Sequence, residues 1–180
     1  WQPEHGARIG VMPREGGNAD VRWFEVDPFY AYHFLNGWDD GDAVVVDGCR
    51  ADDLVIGFGD PSGAPPAFPH LHRWRLDLTT GAVTEEALER RDRTAQLDRS
   101  GDFPRLNDDL AGRRNRYGYV AHAGALTQTG ARFDGVVKHD LDAGTSTVHR
   151  YGEHHVCGEA VFAPDPDGTA EDDGWLLTSV

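Results

Sequence analysis

Two ten-residue stretches of the chain follow one pattern. WRLDLTTGAV from Trp74 and VKHDLDAGTS from Val137 each read as a strand, an Asp-Leu pair, a Gly turn and a second strand. The pairs Asp77-Leu78 and Asp140-Leu141 lie 63 positions apart. A strand–turn–strand signature recurring at that interval suggests β-propeller blades, each a four-stranded sheet, rather than a sandwich. Two ordinary hairpins with similar turns are the alternative.

The rest of the chain supports an all-β reading. DVRWFEVD, YAYHFLNG, AVVVDGCRA, DLVIGFG, YGYVAHAG, EAVFAPD and GWLLTSV are short β-branched or aromatic runs bounded by Gly, Pro, Asp and Asn. TEEALERRD, Thr84 to Asp92, is the one helix-friendly window, and it lacks an apolar stripe. GDPSGAPPAFPH, Gly59 to His70, is too rich in Pro for a central strand and reads as a long surface loop.

The bulk properties exclude several functions. With 17 Lys and Arg against 31 Asp and Glu the net charge is −14, which repels phosphate backbones and anionic membranes. Nucleic acid is therefore not an expected partner. The basic cluster GRRNRYGY, Gly112 to Tyr119, is expected to be an internal salt-bridging turn. Cys49 and Cys157 have no metal-like spacing and argue against a disulfide-stapled domain. No stretch approaches the roughly 20 apolar residues of a membrane span, so a cytoplasmic setting is expected. The chain opens on Trp1 and stops at an apolar run, and both ends read as cut.

Among nine histidines, His70, His72, His149, His154 and His155 read as surface residues. His5 and His122 have no partner that the sequence suggests. His33 differs, because FYAYHFLNGWDDGD, Phe29 to Asp42, reads as a strand apolar on both faces. An imidazole there must satisfy two ring nitrogens or lose a few kcal/mol, on the order of an unmade hydrogen bond each. It is either a satisfied core histidine or a ligand.

Three segments together decide which family comes to mind: YHFLNGWDDGD, SGDFPRLNDD and CGEAVFAPDPDGTAEDDGWLLTSV. With RIGVMPREG and LHRWRLDLTTGAVTEEAL they resemble the carotenoid cleavage oxygenase family, over nearly the whole chain. The resemblance implies a seven-bladed propeller with an iron(II) on its axis held by four histidines, one of them matched by His33. It further implies carboxylates that hydrogen-bond the ligand imidazoles, matched by Glu159 and by Asp102, where the family's motif has a one-methylene-longer Glu. Residues 1–180 are then expected to be part of a single propeller domain, with the other three ligands outside them.

The implied function is dioxygenase cleavage of a C=C bond in a carotenoid, apocarotenoid or stilbene, with Fe(2+) as cofactor and an apolar conjugated molecule and O2 as partners. Membrane contact is expected only through parts not present. An iron-dependent isomerase of the same family and a non-catalytic propeller interaction module are the alternatives. One histidine cannot by itself hold ferrous iron against water, so the isolated chain is expected to be inactive.

Overall fold

The computed structural model describes residues 1–53, 68–88, 99–127 and 130–180, with 126, 127, 130 and 131 described by their backbone alone. Its regular structure is twelve strands and three single-turn 3-10 helices, with no α-helix among the described residues. β1 (Ala7–Val11) and β2 (Arg22–Val26) form a two-stranded sheet. β3 (Phe34–Asp40), β4 (Ala43–Arg50), β5 (His70–Asp77) and β6 (Val83–Ala87) form a four-stranded antiparallel meander. A second meander follows, from β7 (Gly101–Arg105), β8 (Tyr117–Thr127), β9 (Gly130–Asp140) and β10 (Thr145–Arg150). β11 (Val161–Pro164) and β12 (Gly174–Leu177) close the chain as another pair. The chain is all-β, an incomplete set of propeller blades, and no described helix is long and apolar enough to cross a membrane.

The repeated motif occupies the same place in both meanders, the hairpin between third and fourth strand. Asp77 Oδ1 accepts the amides of Thr79 and Thr80, and Asp140 Oδ1 accepts that of Ala143. The glycines of the two motifs, Gly81 and Gly144, both adopt positive φ, the conformation such turns require. Arg116 forks onto Asp140 and pulls its carboxyl down to about 2, while Arg114 reaches Asp142. The basic cluster is thus a salt-bridged turn, its partners lying on the β9–β10 hairpin.

Period-two alternation sorts each sheet between its neighbours. Trp74 and Leu76 of β5 face β1–β2, where Phe24, Ile9 and Val26 meet them. Leu71, on the opposite face of β5, joins Leu35, Cys49, Leu106, Val120 and Val137 between the two meanders. Tyr119 and Val136 turn the other way, onto Phe162 of the last pair and Ala160 just before it. Each sheet–sheet junction is therefore one apolar cluster, as blades packed around an axis require.

Several local expectations are corrected. Tyr30 to His33 is not strand: Tyr30 only bridges Ala51, and β3 starts at Phe34. Nor is the run buried on both faces, since Tyr32 and Phe34 are 47% and 51% exposed. Thr84–Ala87 of the helix-friendly window is β6, where pairing with β5 overrides helix propensity. His72 is buried, not surface. DLVIGFG from Leu54 onward and the Pro-rich loop up to Ala67 lie outside the described residues.

His139 of β9 is 2% exposed, its Nδ1 2.9 Å from Ser146 Oγ, and burial with the nearby Arg99 charge pushes its imidazole down to about 4. In the unfolded chain it would protonate near 6.5. The unfolded state therefore binds a proton that the folded state refuses, and stability present above about pH 6.5 declines as pH falls toward 4. Urea titrations at pH 7 and pH 5 are expected to show that decline, and His139→Leu to flatten it.

Candidate functional site

His33 stands one residue before β3, the first strand of the first meander. Two backbone ties fix its approach: the Tyr30–Ala51 bridge, and the Cys49 amide donating to His33 O at 3.1 Å. Asp102 sits on β7, the first strand of the next meander, where Gly101 pairs with His122 and Asp102 with Ala121. Between Asp102 and Arg105 the register slips by one residue, a bulge that carries Phe103 and Pro104.

The two residues meet across the junction between blades. His33 Nδ1 lies 3.1 Å from Asp102 Oδ1, and the Phe103 amide donates to the same oxygen at 2.8 Å. A carboxylate can only accept, so this contact requires a proton on Nδ1 and directs Nε2 away from the carboxylate. The side chain of His33 is 43% exposed and that of Asp102 10%, an open imidazole backed by an enclosed acid.

Aromatic rings surround the pair. The Phe103 ring is 4.7 Å from the imidazole and 5.3 Å from Phe133. On the other side Tyr32 lies 6.4 Å from His33 and 4.7 Å from Tyr30, which meets Trp1 at 6.4 Å. Burial, then Tyr30, then Asp102 hold the Tyr32 phenol above its ordinary range, so it stays neutral at any physiological pH. Rings of Tyr32 and Phe103 thus flank His33 on its two sides.

Glu159 lies elsewhere. It is half exposed, 3.3 Å from Arg105, and makes no hydrogen bond to an imidazole among the described residues. A cleft of about 330 Å³ lies between Trp38, Val45, Arg73, Arg75, Glu86 and Arg114, and the ion pairs Arg73–Glu86 and Arg75–Asp40 run along it. No group of three or more His, Cys, Asp and Glu residues that could hold a metal occurs among the described residues.

Sequence reasoning missed a second carboxylate–imidazole pair. His122 is fully buried, its Nδ1 2.6 Å from Asp134 Oδ1, and Arg150 approaches the other oxygen of Asp134 at 3.4 Å. His122 Nε2 is buried with no hydrogen-bond partner among the described residues. The hairpin itself could have revealed the pair: with Tyr117 opposite Asp140, His122 falls opposite Gly135, beside Asp134. Asp134→Ala is expected to cost about 2–4 kcal/mol in urea unfolding, because the imidazole stays buried without its acceptor. The double variant His122→Phe/Asp134→Ala is expected to recover part of that loss.

The chain is similar to the carotenoid cleavage oxygenase of Mycobacterium tuberculosis, 40% identical over 98% of this chain and 35% of the relative. It is 29% identical to the apocarotenoid-15,15'-oxygenase of Synechocystis, again over 98% of this chain and 35% of the relative. The crystal structure of cobalt-substituted Synechocystis ACO superposes with a TM-score of 0.76 at 28% identity, covering 96% of this chain and 35% of that one. The chain thus spans about a third of the length of the relatives it matches. The sequence pattern of the retinal pigment epithelial membrane protein family, RPE65, runs through residues 1–180, and the chain belongs to that family.

Proposed function

We propose that residues 1–180 are part of a single propeller domain of a non-haem iron(II) dioxygenase that cleaves a C=C bond of a carotenoid, apocarotenoid or stilbene with O2, giving two carbonyl products. The observation that carries this reading is the His33–Asp102 contact across adjacent blades, with the imidazole open and the carboxylate enclosed. The names of the relatives support the reaction class.

The residues present fit the metal in the chemistry of their donors. His33 would supply one neutral imidazole through Nε2, and Asp102 on Nδ1 would fix its tautomer and orientation and make it a better donor. The other three ligands would come from outside residues 1–180. When bound, the ferrous ion supplies the O2 chemistry, while the chain orients the alkene and excludes water. Tyr32, Phe103 and Phe133 offer flat faces on which a conjugated hydrocarbon buries well. Glu159 is assigned the matching role toward a ligand histidine outside this chain, and a cytoplasmic setting suits the absence of disulfides among the described cysteines.

In the longer protein, about one iron per chain is expected by elemental analysis, lost on His33→Ala. Asp102→Ala is expected to weaken iron binding about 10–100-fold, the usual effect of removing such a carboxylate. Residues 1–180 alone are expected to hold no stoichiometric iron and to take up no O2 with a stilbene or an apocarotenoid. A full-length protein without iron would favour an interaction module, and stoichiometric iron with turnover in the isolated chain would overturn the placement of the other ligands.

A further inference from the structure

Two bulges follow each other in the β8–β9 ladder. His122 is opposite Gly135, so a regular ladder would set Ala123 opposite Asp134 and Gly124 opposite Phe133. Instead Ala123 is opposite Phe133 and Ala125 opposite Arg132, which leaves Asp134 the extra residue on β9 and Gly124 the extra residue on β8. A one-residue slip moves a side chain to the other face of a sheet. The first bulge therefore takes Phe133 off the face of His122, and the second restores the register beyond it.

Phe133 is thereby brought to the side of His33. Directly opposed residues share a face, so Asp102, opposite Ala121, and Phe133, opposite Ala123, share one. There the Phe133 ring meets that of Phe103 at 5.3 Å, and the Phe103 ring lies 4.7 Å from the His33 imidazole. In a regular ladder Phe133 would stand on the opposite face, and the Phe103 ring would lose that neighbour.

The Asp134 side chain is tied down at this bulge. Its Oδ1 lies 2.6 Å from Nδ1 of the fully buried His122, and Arg150 approaches Oδ2 at 3.4 Å. The carboxylate fills the space over Gly124, where an added Cβ would collide with it. The two extra residues thus fit each other, one supplying the carboxylate and the other the room for it. On the outer side of β9 the carbonyls of Phe133 and Asp134 accept the amides of Cys157 at 2.9 Å and Tyr151 at 3.0 Å.

We propose that Asp134 is a positioning residue for the candidate site: seated over Gly124 and bonded to His122 and Arg150, its carboxylate holds the bulge that turns Phe133 onto Phe103 and so backs the ring beside His33. A substrate role for those rings rests on the dioxygenase reading above. The lock itself does not, because it consists of this chain's residues alone.

The test places 4-fluorophenylalanine at position 133 of the longer protein and follows its fluorine resonance. In the otherwise unsubstituted protein Phe103→Leu is expected to shift that resonance, because the neighbouring ring current is removed. In Gly124→Ala, whose methyl displaces the carboxylate, the same Phe103→Leu change is expected to leave the resonance where it is. His122→Phe/Asp134→Ala removes the lock while recovering part of the stability that Asp134→Ala loses, and it is expected to behave like Gly124→Ala; it decides the matter if Gly124→Ala does not fold. A resonance that still responds to Phe103→Leu once the lock is removed, or that does not respond in the protein with the lock intact, overturns the proposal. With an apocarotenoid, Gly124→Ala is expected to raise KM about five-fold, the worth of one aromatic pair, with a smaller change in kcat. An unchanged KM with the fluorine response lost defeats the substrate role of the rings and leaves the lock standing.

Discussion

One loop, residues 107–117, is held from both sides by side chains of its neighbours. From the preceding meander Asn36 reaches it: Nδ2 lies 2.8 Å from both Arg113 O and Asn115 Oδ1, and Oδ1 accepts the Gly112 amide at 3.0 Å. From the following hairpin Glu171 accepts the amides of Arg116 and Tyr117, and its own carbonyl takes Asn107 Nδ2. Apolar clusters between sheets hold blades together but tolerate sliding, because burial is not directional. Buried hydrogen bonds are directional, and Asn115, 2% exposed, leaves no room for a shifted register.

The candidate site depends on that register. His33 is three residues before Asn36 on the same strand entry, and Asp102 is five residues before Asn107 on the next blade's first strand. Both ends of the cross-blade hydrogen bond are thus within a few residues of a stitched position, so the 3.1 Å contact is set by the same docking. Asp47 and Arg73 do comparable work on the face of the first meander: Asp47 is fully buried and forked by the guanidinium, and burial still leaves its carboxyl above its ordinary range.

The histidines divide by environment rather than by neighbours in sequence. His139 is enclosed and driven neutral, His122 is enclosed beside a carboxylate, and of these three only His33 combines a carboxylate with an open ring. That combination suits a group that must present a lone pair outward while its other nitrogen is occupied. The local rules of strand and φ are broken beside this pair, at Phe103 and the bulge that carries it.

Much of the fold was legible in the residues themselves. The Asp-Leu-x-x-Gly turns at Asp77 and Asp140 marked equivalent hairpins because a carboxylate capping one or two amides and a glycine at positive φ are local requirements, met within a few residues. The alternation of Leu71 against Trp74 and of Val136 against Val137 likewise followed from period two. His33 and Asp102 were legible as candidates through the motifs around them. What only the tertiary structure decided was every relation between strands distant in sequence: that Tyr30 to His33 approaches the sheet without joining it, that His122 finds Asp134, and that Glu159 lies beside Arg105. The physical reason is that local propensity acts over a turn or a strand, whereas a hydrogen bond between residues 33 and 102 exists only once two separate sheets have packed and fixed their register.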